Sequence, residues 1–488
     1  MLLSNLLKNI DFNIIKGNID AEITDIIYDS RKVVQGTVFV ALKGYNVDGH
    51  KFIPQAVSQG ASAIVVSDDV DITEDITVIK VDDTRKALAY MSAMLFGEPA
   101  KELTTIALTG TKGKTTTVAM LKSILNAEGI SVGTIGTLGI IVGDKIYKTN
   151  NTTPESYEIQ QAMRKMVDSG CKAMIIEASS LGLKWHRTDA IDFDYGIFTN
   201  FSHDHIGDSE HKDLQEYLDC KALLFKQCKE GIFNIDDKVY EEITSNATCN
   251  KTTYGFSDNA DITAYGDELI SKPGYIGVHF ATKGLKTMDV DVDIPGKFSV
   301  YNALAAMTAA IKMGISEEAI LKGLDTVTVK GRVEAVPVPG DYTLLIDYAH
   351  NALSMENILE TLREYNPNRL IVLFGAGGNR PKVRRYEMGE TAGRLADLSV
   401  LTEDNSRDED VMDIINDIIE GGLKKTEGKY VVVPKRQDAI RYCMENAEKG
   451  DIIVLAGKGH EDYLEIKGVK YHLDEREVIA DIIADMKK

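Results

Sequence analysis

The stretch TTIALTGTKGKTTT, residues 104–117, decides how the rest of the chain is read. TTIALT is an apolar, β-branched run that predicts a buried strand, and TTTVAMLKSILNAEG (115–129) reads as a helix ending at Gly129. Between them lie Gly110, Thr111, Lys112, Gly113, Lys114, Thr115 and Thr116. The glycines let the backbone turn its N–H groups toward phosphate oxygens, and the helix N-terminus adds positive potential. Lys114 is placed to reach the β/γ-phosphates and the Thr115 hydroxyl to ligate Mg²⁺. Only two residues separate the glycines, so the loop is shorter than G-x-x-x-x-G-K-[ST]. The plain alternative is a Gly-rich strand–helix turn decorated with lysines. The strand–loop–helix setting favours a nucleotide.

Outward from this unit the chain alternates strands and helices. Upstream, ITDIIYDSRKV (23–33), GTVFVALKG, ASAIVVSDD and ITVIKVDD read as strands or strand–turn units. HKFIPQAVSQG and TRKALAYMSAMLFG read as helices, and GEPAKEL (97–103) as a linker. Downstream, KAMIIEAS, DYGIFTN and KEGIFNI alternate with helices as far as YNALAAMTAAIKMG, interrupted by a β-rich insert near 250–295. At GRVEAVP (331–337) the pattern restarts with YTLLIDYAH, NRLIVLFGAGG, DLSVLTED, YVVVP and DIIVLAG. The expected fold is α/β in three domains: a small N-terminal α/β domain (1–100), a central P-loop-type, mainly parallel sheet (101–331) and a C-terminal Rossmann-like α/β domain (332–488).

Composition agrees. The chain has 488 residues, 55 Lys and Arg against 75 Asp and Glu, and a formal charge of −20. At roughly 100–200 residues per domain, about three domains are expected. Hydrophobic residues at 44% and charged residues at 27% exclude wholesale disorder. So acidic a chain suits neither nucleic acid nor an anionic membrane, and an anionic ligand needs a local cluster of donors. No apolar run approaches the ~20 residues of a membrane span. The opening MLLSNLLKNIDF lacks a basic n-region and a full h-region, so no signal peptide is expected. Cys171, Cys220, Cys228, Cys249 and Cys443 are odd in number without CxxC spacing, which fits reduced thiols in a cytoplasmic protein.

Glu177 closes the strand KAMIIEAS, where a side chain faces the crevice of an open sheet. His203, Asp204, His205 and His211 in SHDHIGDSEH allow three readings: magnesium beside the nucleotide, zinc, or loop hydrogen bonding. Lys221 by itself reads as an ordinary helical surface lysine. In the last third, Asp347 and His350, the loop Gly375–Arg380, Asp404-Asn405-Ser406-Arg407 and Gly457–Glu461 all follow strands. Arg380 and Arg407 suit carboxylates and Glu461 suits an ammonium, so a zwitterionic amino acid is the expected ligand.

TGTKGKTTT, NTTPES, EASSLGL, DHIG with CKALLF, GRVE, IDYAHN, FGAGGNR, DNSR and AGKGHEDY occur in this order. Together with YDSRKVVQGTVFVALKGYNVDGHKFI they resemble the Mur ligases of peptidoglycan synthesis over nearly the whole chain. The resemblance points to the branch that adds the third residue to UDP-N-acetylmuramoyl-L-alanyl-D-glutamate, using ATP through an acyl phosphate. It implies Lys114, Glu177, His205 and Lys221 as catalytic residues, with Lys221 as an N6-carboxylysine. Thr115, Glu177, His205 and that carbamate would hold Mg²⁺. ATP contacts are implied for residues 110–116, Asn302, Arg332 and Asp347. UDP-sugar–peptide contacts are implied for Ser30, Tyr45, Asn46, Val47, Asn151, Thr152, Thr153, Ser179 and Arg187. Amino-acid contacts are implied for Arg380, Asp404, Asn405, Ser406, Arg407, Gly457 and Glu461. A monomer is expected.

Three positions depart from the family pattern. Trp185 stands where many members carry a muropeptide-touching Gln, and DHIGDSEH differs from the commoner DHLDYHG. DNSR replaces the DNPR of diaminopimelate-adding members but keeps Arg407, which would pair with the distal carboxylate of meso-diaminopimelate. A buried arginine without an anion is costly, so Arg407 favours diaminopimelate over L-lysine. The rival readings are a folylpolyglutamate synthetase-like ligase and a nucleotide-binding protein without ligase chemistry.

Overall fold

The apolar runs become strands covered on both faces, the arrangement parallel sheets require. The structure, a computed structural model, describes residues 1–44, 47–204, 206–207, 210–272 and 275–486. Tyr45, Asn46 and His205 of the expected site lie outside the described residues. The chain divides into two compact units, Met1–Thr263 with Gly284–Lys286 and Leu304–Gly323, and Ala264–Lys283 with Thr287–Ala303 and Leu324–Lys488.

The first unit holds two sheets. The N-terminal one orders strands Asn13–Lys16, Thr77–Lys80, Ala63–Val66, Val38–Val40 and Ile26–Ile27, all parallel except Asn13–Lys16. The segment 23–33, expected as a strand or strand–turn unit, is a two-residue strand at Ile26–Ile27 followed by a 3₁₀ turn at Ser30–Lys32, which Asp29 starts by accepting from the Arg31 N–H.

In the central sheet the parallel order is Asn250–Gly255, Cys228–Asn234, Phe193–Phe198, Thr104–Thr109, Ala173–Glu177 and Val132–Gly136. After Thr104–Thr109 the chain fills one flank, then crosses to the other, so a topological switch point lies beside that strand. Ligand crevices form at such points, outside the carboxyl ends of the strands. Ile106, Leu108, Ile175 and Ile176 are fully buried. At about 1.5–3 kcal/mol each, they hold the register that delivers the Gly110 loop to the crevice. Gly139–Val142 and Lys145–Tyr147 add an antiparallel meander at the edge, which the strand–helix alternation did not foretell.

In the second unit, Tyr275–Gly284 and Asp289–Val292 pair antiparallel. A six-stranded sheet orders Glu334–Val336, Thr343–Asp347, Ile452–Ala456, Leu370–Phe374, Leu398–Leu401 and Tyr430–Val432, parallel apart from the first. The loops after four of these strands therefore leave one edge of the sheet together. Behind them Arg436 and Glu475, both fully buried, form an ion pair at 2.8 Å. Arg436 also donates to the carbonyls of Ala456 at 2.8 Å and Glu403 at 3.2 Å, tying two of the strand ends. Among the described residues no helix is long and apolar enough to cross a membrane.

Candidate active site

The Gly110–Gly113 loop is shaped by strain and strapped by a neighbouring strand. Gly110 has φ 149°, and a Cβ there would sit 2.0 Å from Thr199 Oγ1. Gly113, left-handed at φ 83°, starts the helix Lys114–Ala127. Asn200 grips the loop three times: its carbonyl accepts from the Thr111 N–H at 2.9 Å, its Oδ1 from the Lys112 N–H at 2.9 Å, and its Nδ2 donates to the Lys112 carbonyl at 3.0 Å. Thr199 and Asn200 were missed from the sequence, although DYGIFTN places them at a strand end beside the loop. Lys112 is exposed, and Thr116 lies on the first helical turn.

Two lysines meet at this loop. Lys114 Nζ donates to the carbonyls of Gly110 at 2.7 Å and Thr111 at 3.1 Å. Lys221, on the helix Leu214–Ala222, is 1% exposed and donates to the same Gly110 carbonyl at 2.8 Å. Its ammonium also lies 4.2 Å from the Tyr217 ring centroid. It is no surface lysine. Burial first, and then the charge of Lys114, push its pKa well below the ordinary lysine value, and burial lowers Lys114 too.

Glu177 is 2% exposed and accepts from the Thr115 hydroxyl at 3.0 and 3.1 Å, from the Thr137 N–H at 3.0 Å and from the Thr137 hydroxyl at 3.1 Å. A carboxylate and a hydroxyl side by side at a nucleotide-type loop make a hard oxygen donor set, which fits Mg²⁺ better than zinc. Among the described residues His203, Asp204 and His211 form no group of converging ligand atoms, and His211 Nε2 lies 2.8 Å from Ser180 Oγ. The converging group found there is Asp48, His50 and Asp68, but His50 Nδ1 lies 2.7 Å from Asp48 and its Nε2 accepts the Ser67 N–H at 3.1 Å.

The expected sugar–peptide contacts adjoin this carboxylate. Thr153, fully buried, donates to the main-chain carbonyl of Glu177 at 2.7 Å and to Ser179 Oγ at 3.0 Å. Arg187 donates to the Thr153 carbonyl at 2.8 Å and to Glu155 at 2.7 Å. Thr152 Oγ1 lies 3.4 Å from Thr137 Oγ1, while Asn151 is exposed. Trp185 stacks under Arg85, whose guanidinium carbon is 4.7 Å from the ring centroid and which also pairs with Glu155 at 3.1 Å. Ser30, buried, donates to Gln55 at 3.0 Å, and Val47 is exposed.

In the second unit the four loops converge as their strand ends predict. Asp347 accepts from the N–H groups of Val333 at 2.8 Å and Ala349 at 2.7 Å, and burial raises its pKa against those bonds. Arg332 lies 5.4 Å from the Tyr348 ring, and Asn302 is buried in the helix Lys297–Lys312. Gly378 N–H donates to the Asn405 carbonyl at 2.8 Å, and Ser406 is buried behind it. Lys458, fully buried and missed from the sequence, donates to Asn405 Oδ1 at 3.0 Å and Glu461 at 2.8 Å, and lies 3.9 Å from Asp404. Asn405 Nδ2 donates to Glu461 at 3.0 Å. The signal was the AGKGHE run itself, whose lysine carries the buried charge.

These loops enclose a cavity of about 150 Å³ lined by Arg380, Asp404, Asn405, Arg407, Gly457 and Glu461 among others. That volume accommodates a body the size of benzene. The burial argument for Arg407 needs correction: it pairs with Glu465 at 3.2 Å and donates to the Gly378 carbonyl at 2.8 Å, so its charge already has an anion within the chain. Its Nη2 has no protein partner among the described residues.

Three family models match the chain: "Mur ligase family, catalytic domain" over residues 22–94, "Mur ligase middle domain" over 108–310 and "Mur ligase, glutamate ligase domain" over 331–459. A protein of Caldanaerobacter subterraneus subsp. tengcongensis, named UDP-N-acetylmuramoyl-L-alanyl-D-glutamate--2,6-diaminopimelate ligase, is 42% identical over 490 residues, covering 100% of both chains. A protein of the same name from Clostridium perfringens is 40% identical over 490 residues, covering 99% of both. A solved structure of a ligase of that name superposes with a TM-score of 0.76 at 26% identity, over 100% of this chain and 99% of the other. With nucleotide loop, buried carboxylate and converging C-terminal loops in place, the chain belongs to the Mur ligase family of ATP-dependent, amide-bond-forming enzymes.

Proposed function

We propose that this ligase joins meso-2,6-diaminopimelate to the D-glutamyl carboxylate of UDP-N-acetylmuramoyl-L-alanyl-D-glutamate in peptidoglycan synthesis, acting as a cytoplasmic monomer. The observation that carries the reading is the double role of Glu177. Its carboxylate receives the hydroxyl of Thr115 from the nucleotide loop, and its main-chain carbonyl receives the hydroxyl of Thr153 from the segment NTT. Phosphoryl transfer to a carboxylate needs both substrates at one point, and Glu177 joins the two segments that would hold them. The full-length relatives named for diaminopimelate support the amino acid.

The substrate carboxylate attacks the γ-phosphorus of ATP and displaces ADP, giving an acyl phosphate. The amine of diaminopimelate then attacks that carbonyl, the C–O bond to phosphate breaks, and phosphate and a proton leave. Lys114 offsets charge on the transferring phosphoryl group, and residues 110–116 orient the phosphates. Thr115, Glu177, His205 and a Lys221 carbamate would hold Mg²⁺, which supplies further positive charge there when bound. Lys221 suits that modification because its buried, disfavoured ammonium is readily a neutral amine. Its nitrogen bonds to CO₂ and releases a proton, which turns a like-charge contact with Lys114 into an opposite-charge one.

Residues 1–100 are assigned to the UDP sugar, with Ser30, Tyr45, Asn46 and Val47, and residues 101–331 to ATP and the reacting carboxylate. Residues 332–488 are assigned to the amino acid, with Arg380, Asp404, Asn405, Ser406, Arg407, Gly457 and Glu461. Asn302, Arg332 and Asp347 are assigned to the adenosine end of ATP. Phosphate release with Mg-ATP, the UDP-dipeptide and meso-diaminopimelate, L-lysine, L-ornithine or no amino acid tests the reading. Turnover with diaminopimelate is expected. Turnover with lysine alone overturns the amino acid, and no substrate-dependent release overturns the ligase.

A further inference from the structure

Two of the five cysteines lie together in the first unit, apart from the nucleotide loop. Cys228 opens the strand Cys228–Asn234, and Cys249 immediately precedes its parallel neighbour Asn250–Gly255. Their sulfurs stand over a pair of glycines. A Cβ on Gly196 would lie 2.7 Å from Cys228 Sγ, and a Cβ on Gly231 would lie 2.6 Å from Cys249 Sγ. Gly196 and Gly231 are themselves direct partners in the register of Phe193–Phe198 with Cys228–Asn234. The two absent side chains therefore make room for two thiols side by side. The approach is held from behind: the Thr248 N–H donates to the Phe225 carbonyl at 3.1 Å and ties together the segments that lead into both cysteines.

Access and charge also set this pair apart. Cys228 and Cys249 are half-buried, whereas Cys171, Cys220 and Cys443 are buried. Burial pushes the Cys220 thiol up to about 11 and the Cys443 thiol up to about 12. Cys249 is the reverse. A hydrogen bond from the Cys228 thiol holds it below the ordinary cysteine value, Lys251 adds to this, and Cys228 stays protonated as the donor. One sulfur thus forms the thiolate and the other is a thiol poised beside it, which separates a redox-active dithiol from inert buried cysteines.

We propose that Cys228 and Cys249 are a site of reversible oxidation by hydroperoxides, closing an intrachain disulfide between adjacent strands. The Cys249 thiolate attacks one peroxide oxygen, the O–O bond breaks, and the departing hydroxide recovers the proton that the thiol gave up. The Cys228 sulfur then attacks the sulfur of the Cys249 sulfenic acid. The S–S bond forms as the S–O bond breaks, and the Cys228 proton leaves with the oxygen as water. Two thiols give up two electrons and two protons, and hydrogen peroxide becomes two waters. Phe193, the register partner of Cys228, lies at the opposite end of its strand from Phe198, which pairs with Thr109 beside the Gly110 loop. The disulfide therefore forms away from the nucleotide crevice.

The test treats the full-length protein with hydrogen peroxide, alkylates it in denaturant and maps the tryptic peptides by mass spectrometry. The expected product links peptides 227–229 and 239–251, lighter by two hydrogens and separated again by dithiothreitol, with Cys171, Cys220 and Cys443 still alkylated. Cys228→Ser removes the second thiol, so Cys249 should stop at a sulfenic acid that dimedone captures. Cys249→Ser should leave Cys228 unoxidised at the same dose. The linked protein should melt about 5 °C above the reduced one and bind ADP within twofold of it. Absence of the link in wild type overturns the proposal, as does oxidation of Cys171, Cys220 or Cys443 at an equal rate, or a Cys228→Ser protein that yields no sulfenic acid at Cys249.

Discussion

The ammonium groups of Lys114 and Lys221 both donate to the carbonyl oxygen of Gly110, at 2.7 and 2.8 Å. Two cations on one oxygen repel each other, and burial removes the water that would screen them. The pair is tolerable only if one lysine gives up its proton or changes its charge.

Replacing Lys221 is therefore expected to do more than remove a surface charge. Lys221→Ala should lower kcat by about a hundredfold or more, close to 2.7 kcal/mol of activation free energy. Wild type stripped of CO₂ should lose activity and regain it with bicarbonate. The alanine variant should ignore bicarbonate and respond to short carboxylates instead. A fully active Lys221→Ala would dispose of the carbamate. Because the folded-state pKa of Lys221 is depressed, stability should also rise with pH through the window between that value and its unfolded value.

Gly110→Ala probes the loop without touching a charge. The added methyl would lie 2.0 Å from Thr199 Oγ1 at a backbone angle of φ 149°. ADP affinity measured by calorimetry should fall at least tenfold, about 1.4 kcal/mol, with the melting temperature of the second unit unaffected. Unchanged affinity would mean that the loop reshapes freely.

Lys458 holds Asn405 and Glu461 together from a fully buried position. Lys458→Met leaves the partly buried Glu461 without its cation, though still bonded to the Asn405 amide, and should lower stability. KM for the amino acid should rise at least tenfold while KM for ATP stays within twofold. Adding Glu461→Gln should recover part of the lost stability in thermal melts but none of the activity. Additive stability losses would show that the two residues are not coupled.

Asp293 gives a pH-dependent prediction. Burial, and secondarily Asp325, raise its pKa to about 6, and its buried Oδ1 has no hydrogen-bond partner. The folded state then holds a proton that the unfolded state has released, so this group's contribution to stability falls as pH rises from about 4 to about 6. Asp293→Asn should stabilise the protein at pH 7.5 by about 1 kcal/mol, a figure reduced for the partial exposure of the group. Scanning calorimetry at pH 4 should show the gain vanish. An equal gain at both pH values would assign it to something other than ionisation.

Much of the site could be read directly from local sequence. A glycine loop between a strand and a helix, a carboxylate closing a strand, and four polar loops after apolar runs each span only a few residues. Their positions follow from periodicity and turn chemistry. Thr137, Thr199 and Asn200 could not be read this way, since their partners Glu177, Thr111 and Lys112 lie 40 or more residues away along the chain. Lys221 reads as a surface lysine only from its local sequence, for the same reason: its burial depends on the Gly110 loop, 111 positions earlier, and only the family resemblance marks it as a site residue.

The adjacent pair Arg384 and Arg385 marks the division most clearly. The sequence alone determined three α/β domains, a short phosphate-type loop and a set of polar, cation-bearing loops after the C-terminal strands. It could not say that Arg385 is matched by Asp417 and Glu409 while the Arg384 guanidinium has no hydrogen-bond or ion-pair partner among the described residues. Charge type is local, but neutralisation depends on distance and burial among residues far apart in the chain, and only the tertiary structure supplies those.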